Sequence, residues 1–222
     1  MLLYYITDRT QFSGDESDRR RSLLEKIAEA SRCGVDFIQL RERDLCTRDL
    51  EDLARTVVAA VRENSPKTRL LINSRGDVAL ACGADGVHLR SDDISPGDVR
   101  SVWTWGGGTA STSPGQALAR ERSFPVISVS CHSVADVARA ASERADFAVF
   151  APVFEKKGAP QLRPAGLEEL RKACRQNIPV LALGGVNLEN AHACMAAGAA
   201  GIAGVRLFQQ SDVAQVVRTL CG

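Results

Sequence analysis

Side chains that could bind anions or move protons follow the short apolar segments of this sequence. In chain order they are Gln39, Arg41, Arg43, Asn73, Asp93, Ser130, His132, Lys156 and Lys157. Guanidinium and ammonium groups bind phosphate and carboxylate oxygens, and imidazole accepts and returns a proton near neutral pH. The set predicts a site for a small anionic substrate, with one histidine placed to transfer a proton.

The two arginines of this set stand on either side of Glu42. If one extended strand runs through them, alternation places Gln39, Arg41 and Arg43 on one side of the chain. Both arginines could then face a common anion. The alternative is structural, since Arg41 could instead form an ion pair with Glu42 or Asp44 at the rim.

His132 is the only histidine of this sequence that directly follows an apolar segment. As a general acid or base it could move a proton without a metal. Capping of the following helix, or simple solvation, is the alternative role. His88 lies inside an apolar segment and His192 lies beside alanines in a helical pattern, so we expect structural roles for both.

Two glycine-containing turns close the last two apolar segments, at Gly184-Gly185 and at Gly204-Val205. Glycine lets backbone N–H groups approach an oxyanion closely, and the start of a following helix adds a favourable field for phosphate. A glycine pair is also a common packing device, which is the alternative. The position of both turns on neighbouring segments favours phosphate binding.

The elements between these residues must bring the segment ends together. Short β-branched or apolar runs alternate with longer amphipathic stretches, which is typical of parallel β/α units. The predicted strands are 2–7, 35–40, 69–73, 86–89, 126–130, 146–150, 180–183 and 201–204. They predict an α/β fold, a TIM (β/α)8 barrel in one domain over residues 1–222, although an open doubly wound sheet shares much of the pattern. In a barrel the C-terminal strand ends form one rim, where the candidate residues would meet.

An internal echo favours the barrel over the open sheet. The segments CGVDFIQLR (33–41), CGADGVHLR (82–90), ERADFAVFA (143–151) and AGAAGIAGV (197–205) each carry a helix end, a small or acidic residue and an apolar strand. Their spacing of roughly 50 residues fits two β/α units, so the echo marks every second strand. Gly34, Gly83 and Gly198 stand where helix C-caps are needed.

The bulk composition argues against nucleic-acid and membrane partners. Lys+Arg 28 against Asp+Glu 27 leaves a formal net charge of +1, so any anion site must be local. With no basic leader and no apolar run of membrane-spanning length, we expect a cytoplasmic protein. Seven cysteines without paired spacing are expected to be small buried hydrophobes. Residues 103–113, WTWGGGTASTS, are expected to form a mobile loop.

Ordered motifs along nearly the whole chain resemble the thiamine phosphate synthase/TenI superfamily. They are YYITDR (4–9), GVDFIQLRERD (34–44), LLINSRGDVALACGADGVHLRSDD (70–93), VSCHS (129–133), FAPVF (150–154), PVLALGGV (179–186) and GAAGIAGVRLF (198–208). The resemblance implies a TIM-barrel enzyme that acts on a thiazole phosphate. A homo-oligomer is compatible with it.

Synthases of this superfamily join a pyrimidine pyrophosphate to a thiazole phosphate with the help of Mg²⁺. The resemblance implies contacts to the pyrophosphate from Gln39, Arg41, Arg43 and Asn73, and a contact to the metal from Asp93. It also implies that the two glycine turns hold the thiazole phosphate.

Two departures from the synthase pattern favour the TenI subtype. Ser74 stands where synthases carry an aspartate, which removes one expected Mg²⁺ ligand. The sequence FEKKG (154–158) replaces the synthase loop that usually supplies hydroxyl groups, and it resembles the TenI loop. TenI proteins aromatise a thiazole phosphate carboxylate tautomer, and a histidine in the position of His132 is their acid/base.

The resemblance thus implies a thiazole tautomerase without a cofactor. Its alternatives are a Mg²⁺-dependent thiamine phosphate synthase, a non-catalytic protein that binds a thiamine precursor, and, more remotely, a sugar phosphate epimerase or isomerase.

Overall fold

A computed structural model describes residues 1–106, 124–155 and 163–222 of the chain. Eight parallel strands close into a barrel in sequence order. They are β1 (Leu2–Ile6), β2 (Phe37–Leu40), β3 (Arg69–Asn73), β4 (Gly86–Leu89), β5 (Val126–Cys131), β6 (Phe147–Phe150), β7 (Val180–Ala182) and β8 (Gly201–Gly204). Tyr4 of β1 pairs with Ala203 of β8, which closes the sheet and excludes the open alternative. The predicted TIM barrel is confirmed.

Helices surround the barrel on the outside. They are α1 (Glu16–Arg32), α2 (Thr47–Asn64), α3 (Gly76–Cys82), α4 (Pro96–Gly106), α5 (Val134–Ser142), α6 (Gly166–Ala173), α7 (Ala191–Ala196), α8 (Arg206–Gln209) and α9 (Val213–Cys221). A short 3-10 helix, Arg9–Gln11, follows β1. Among the described residues, no helix has the length and apolar character needed to cross a bilayer.

The sequence echo has a structural basis in three aspartates that precede even-numbered strands. Asp36 Oδ2 accepts a hydrogen bond from the backbone N–H of Leu3 at 2.8 Å. Asp85 binds the N–H of Leu70 at 2.9 Å, and Asp146 binds the N–H of Ile127 at 2.7 Å. Each carboxylate therefore accepts a hydrogen bond from a backbone N–H near the start of the preceding odd-numbered strand. At that residue the pairing with the following even-numbered strand has not yet begun. The repeated aspartate therefore links each of these even-numbered strands to the odd-numbered strand before it through a side-chain hydrogen bond.

The barrel interior changes from apolar to polar toward the C-terminal rim. Phe37 and Phe147 pack with ring centroids 4.7 Å apart, and Tyr4 meets Phe147 edge-on at 5.4 Å. Further along their strands, Gln39, His88 and Ser128 are all buried. Aromatic side chains thus fill the barrel interior away from the C-terminal rim, and polar side chains lie directly beneath that rim.

Two predictions about local structure need correction. Trp103 to Gly106 belong to α4 rather than to a loop, and Trp103 packs partly buried against the core. Trp103 continues the helix because its side chain has apolar surface to bury against the core, and the glycine-rich sequence begins only at the end of the helix. Residues 107–113 lie outside the described part of the chain. Cys46 and Cys221 are exposed, unlike the other five cysteines, which are at least partly buried.

Candidate functional site

The C-terminal rim of the barrel brings together most of the predicted site residues. Asn73, Ser130, Gly204 and the turn at Gly184 all occupy or directly follow C-terminal strand ends. Lys156 and Lys157 lie outside the described residues.

Arg41 and Arg43 lie beyond the end of β2, so strand alternation does not govern them. β2 ends at Leu40, and a turn includes Arg43. Arg41 is half-buried and Arg43 is exposed. Burial, followed by the charge of Arg43, lowers the pKa of the Arg41 guanidinium. The two cations are close enough to repel each other, and a shared anion would relieve that repulsion.

The alternative ion pair between Arg41 and its neighbours is wrong, because another arginine binds both carboxylates. Arg9, only 3% exposed, donates to Asp44 at 2.7 and 2.8 Å and to Glu42 at 3.2 Å. Its Nε donates to Glu16 at 2.9 Å. No hydrogen bond or ion pair links the side chain of Arg41 to another residue in the described ranges.

Arg9 is a structural residue that the sequence reasoning missed. Its bidentate contact with Asp44 holds the pKa of that carboxyl below its ordinary value. The pairing fastens the turn after β2 to the segment after β1. Its position directly after the first predicted strand was the available signal, since strand ends carry the functional residues of this fold.

Asn73, Ser74 and Asp93 form a small polar group at the ends of β3 and β4. The Ser74 hydroxyl donates to Asp93 Oδ2 at 2.7 Å, and the backbone N–H of Arg90 donates to the same oxygen at 2.8 Å. Asn73, half-buried, closes β3 beside His88 of β4. Asp93 is thus held in place by two donors.

This group fits the Mg²⁺ of the synthases poorly. Hard divalent cations favour anionic oxygen ligands. In the described ranges, no three His, Cys, Asp or Glu side chains come close enough together to hold a metal ion. Asp92, the neighbouring carboxylate, is paired with Arg90 instead. Asp93 is the carboxylate beside Ser74, and the Ser74 hydroxyl already occupies one of its oxygens.

His132 directly follows β5 and is exposed. Its Nδ1 lies 2.8 Å from the carbonyl oxygen of Ala151. A carbonyl can only accept, so Nδ1 carries the hydrogen, and the Nε2 of the neutral ring presents a lone pair. The ring is therefore oriented as a base: Nδ1 is held by the Ala151 carbonyl, and Nε2 is the nitrogen that can accept a proton.

The predicted alternative role of His132 as a helix cap is wrong. Ser133 caps α5, and its side chain accepts from the N–H of Asp136 in a capping box. Burial opposes ionisation of Asp136, yet donation from the N–H groups of His132 and Ser133 and from the Ser133 hydroxyl lowers its pKa. This cap fixes the backbone of His132, and the His132 ring takes no part in capping α5.

Two neighbours of His132 have restricted chemistry. Cys131 is fully buried, and burial raises the pKa of its thiol to about 12, so it stays protonated and is a poor nucleophile. Ser130, half-buried at the rim, has its hydroxyl oxygen 2.9 Å from His88 Nε2, within hydrogen-bond distance.

Gln39 is only 1% exposed and donates to the Tyr4 hydroxyl at 2.9 Å.

The turn after β7 combines two left-handed glycines with close packing. Gly184 and Gly185 have φ angles of 91° and 68°. A Cβ at Gly185 would lie 2.5 Å from the carbonyl oxygen of Glu155, and one at Gly184 would lie 2.7 Å from Pro152 Cα. Glycine is therefore required here by conformation and by the loop after β6, whatever else the turn binds.

The backbone amides of both turns remain available to an anion. Among the described residues, no acceptor is found for the N–H groups of Gly184, Gly185, Val186 and Val205. The helices that follow are short, with six residues in α7 and four in α8. Any anion binding at these turns would depend on the amides themselves rather than on a long helix dipole.

Fold and rim together define the class of protein: a (β/α)8 barrel whose rim combines amide-rich turns, two adjacent arginines and an exposed, oriented histidine. A family model described as thiamine monophosphate synthase matches residues 3–121 and 108–208. The chain belongs to this family, as its motifs predicted, and is an enzyme of thiamine biosynthesis.

Relatives match it over almost the whole length. The putative thiamine-phosphate synthase 2 of Aquifex aeolicus is 36% identical over 207 residues, which cover 93% of this chain and 96% of that protein. The thiamine-phosphate synthase of Syntrophomonas wolfei is 33% identical, with 98% and 93% covered.

Solved structures agree in fold. A thiamine phosphate pyrophosphorylase from Pyrococcus furiosus superposes with a TM-score of 0.74 at 28% identity, covering 99% of this chain and 93% of that one. A 3-hexulose-6-phosphate synthase, at 16% identity and a TM-score of 0.63, shares the barrel alone.

Proposed function

We propose that this enzyme is a thiazole phosphate tautomerase in which His132 transfers the proton. The observation that carries the proposal is the orientation of that ring. Nδ1 is held by the Ala151 carbonyl, and Nε2 is left with a lone pair at an exposed position on the rim. A fixed imidazole base is the central requirement of a proton shift between two carbons.

The reaction moves one proton between a ring carbon and an exocyclic carbon of the thiazole. Nε2 of His132 accepts the proton from one carbon, and the resulting imidazolium returns it to the other. No atom is gained or lost, so neither an oxidant nor a metal is required. Arg41 and Arg43 cannot replace the histidine as bases, because guanidinium groups stay protonated.

The anionic parts of the substrate would be bound on both sides of this histidine. We assign the phosphate to the turns Gly184-Gly185 and Gly204-Val205, where the N–H groups of Gly184, Gly185, Val186 and Val205 have no acceptor among the described residues. Arg41 and Arg43 repel each other and would be stabilised by the second anionic group. Asn73, Ser130, Lys156 and Lys157 are proposed as further substrate contacts.

A second candidate is thiamine phosphate synthase activity, favoured by the names of the relatives. In that case Gln39, Arg41, Arg43 and Asn73 would bind pyrophosphate. Among the described residues, Mg²⁺ would have Asp93 as its carboxylate ligand at this part of the rim, and the Ser74 hydroxyl is already bound to that carboxylate. That donor set is why we place the synthase second.

The two activities are separated by one set of incubations. Purified enzyme is given the thiazole phosphate carboxylate tautomer, and separately hydroxymethylpyrimidine pyrophosphate with thiazole phosphate, each with and without Mg²⁺. We expect metal-independent conversion of the tautomer and little coupling. Efficient coupling with saturable Mg²⁺ dependence would establish the synthase instead.

A third outcome concerns a protein that binds a thiamine precursor without turnover. Calorimetric titration with the thiazole phosphate product tests this directly. Measurable binding, together with no conversion in any incubation, would contradict the proposed tautomerase and identify the chain as a binding protein.

A further inference from the structure

A chain of four hydrogen bonds runs through the barrel interior to the rim. Gln39 Nε2 donates to the Tyr4 hydroxyl at 2.9 Å, and Tyr4 contacts the Ser128 hydroxyl at 3.4 Å. Ser128 contacts His88 Nδ1 at 2.8 Å, and His88 Nε2 contacts the Ser130 hydroxyl at 2.9 Å. All members except Ser130 are buried, so this chain connects the interior with one half-buried hydroxyl at the rim.

The protons in this chain can be placed by counting donors and acceptors. The Tyr4 oxygen already accepts from Gln39, and Tyr4 is fully buried. Its own proton needs an acceptor, because a buried hydroxyl without one costs about 1–3 kcal/mol. Ser128 is the remaining partner within reach, so Tyr4 donates to Ser128.

The same counting then fixes the histidine and the serine at the rim. Since Ser128 accepts from Tyr4, its proton goes to His88 Nδ1, which must be the bare nitrogen of the neutral ring. Nε2 of His88 then carries the hydrogen and donates it to Ser130. Ser130 accepts from within the barrel, and its own proton is left for the rim.

We propose that His88 is a positioning residue that holds the Ser130 hydroxyl with its proton directed out of the barrel. The position in front of Ser130 would then take a substrate atom that accepts a hydrogen bond and carries no hydrogen, such as a phosphate or carboxylate oxygen. This deepens the proposed function, on which it rests for the identity of the substrate.

The electrostatic surroundings keep His88 in the neutral form that this arrangement needs. Burial, followed by the charge of Arg41, lowers the pKa of His88 to about 3. The direction of the chain therefore does not change near neutral pH.

The tautomer of His88 is measurable without any ligand. Long-range ¹H–¹⁵N correlation spectra of the uniformly labelled enzyme distinguish the two neutral forms of each imidazole. We expect Nε2–H at His88 and Nδ1–H at His132, with His88→Gln used to assign the His88 signals. Nδ1–H at His88 would overturn the proposal, because Ser130 would then donate inward.

Two substitutions of His88 separate positioning from mere packing. A glutamine amide can reach the place of Nε2 and donate to Ser130, whereas an asparagine amide reaches only the place of Nδ1, beside Ser128. We expect His88→Asn to weaken binding of thiazole phosphate roughly 10-fold and His88→Gln to weaken it much less. Equal losses in both variants, with unfolding midpoints equally lowered, would indicate a purely structural histidine.

A double-mutant cycle tests the route through Ser130. Ser130→Ala should weaken thiazole phosphate binding about as much as His88→Asn, and the double variant should be no weaker than Ser130→Ala alone. Additive losses would overturn the proposal. Since these measurements are binding constants, they remain informative if the enzyme proves to be a synthase, and the incubations described above would reveal that separately.

Discussion

The two sides of the C-terminal rim, which holds the candidate site, are built from different parts of the chain. The side formed by β7 and β8 offers backbone: two left-handed glycines and amides that lack acceptors among the described residues. The side formed by β4 and β5 offers side chains: His88 and Ser130 are hydrogen-bonded to each other across the two strands, and His132 is hydrogen-bonded to Ala151, directly after β6. A backbone site depends on the absence of Cβ atoms, whereas a side-chain site depends on neighbours that orient each group.

The histidines on the side-chain half illustrate this dependence. His132 has its hydrogen on Nδ1, because a carbonyl faces that nitrogen. His88 is placed among hydroxyls whose donors and acceptors require the opposite tautomer. One residue type is therefore proposed to serve as an exposed base at His132 and as a buried neutral support at His88, and the difference lies in the hydrogen-bond partners.

The largest effect that we predict comes from the exposed base. His132→Gln should lower kcat for the thiazole tautomer about 100- to 10,000-fold and leave KM largely unchanged, as expected for loss of a general acid/base. Steady-state kinetics provide the test, with His192→Gln, on the exposed face of α7, as the control. Wild-type turnover by the His132 variant would remove this residue from the mechanism.

The backbone half is tested by comparing two left-handed glycines. Gly185→Ala combines a φ of 68° with a Cβ only 2.5 Å from the Glu155 oxygen, so we expect a loss of about 3 kcal/mol in unfolding free energy. Gly34→Ala, with a φ of 84° and nothing within 4 Å, should lose only about 1 kcal/mol. Urea unfolding measures both.

A further measurement on the same variants separates packing from phosphate binding. If the turn binds phosphate, a folded Gly185→Ala protein should also lose affinity for thiazole phosphate, while Gly34→Ala should not. Unchanged affinity in the Gly185 variant would leave only the packing role for this glycine.

The buried histidine should make stability depend on pH. A free histidine has a pKa near 6.5, and the folded value is lowered to about 3, so the unfolded state binds more protons between these values. The contribution of His88 is complete above pH 6.5 and is lost as the pH falls toward 3. Between pH 7 and pH 5 we expect the native enzyme to lose about 2 kcal/mol more than His88→Gln. Parallel losses in urea unfolding at the two pH values would contradict the burial of a neutral ring.

The smallest predicted effect concerns the group at β3 and β4. Ser74→Asp adds a carboxylate beside Asp93, at a φ of 55° that aspartate tolerates, and should raise the affinity for Mg²⁺ about tenfold. Ser74→Asn is the matched variant without the charge. Titration calorimetry with Mg²⁺ alone compares them, and a native enzyme that binds Mg²⁺ as tightly as Ser74→Asp would show that the serine is no obstacle.

Local sequence patterns were sufficient to predict the strands, but they did not predict the orientation and partners of every residue that follows a strand. β3, β4 and β8 have the predicted bounds, because each is a short apolar run between clear turn residues. The prediction that Gln39, Arg41 and Arg43 share one face assumed that a single strand runs through all three. β2 ends at Leu40, so strand alternation does not extend to the two arginines. The partner of Glu42 and Asp44 was Arg9, which is distant in sequence.

The sequence by itself determined the order of elements, the barrel and the family, since these follow from apolar periodicity and from motifs that are local along the chain. Tertiary structure alone decided which way each imidazole points, which carboxylates Arg9 neutralises and why Gly185 must be glycine. Those features depend on atoms contributed by different strands and the segments that follow them, such as the Ala151 carbonyl facing His132. Hydrogen bonds and close contacts act over a few ångströms in space, and only the closed barrel brings these partners within that distance.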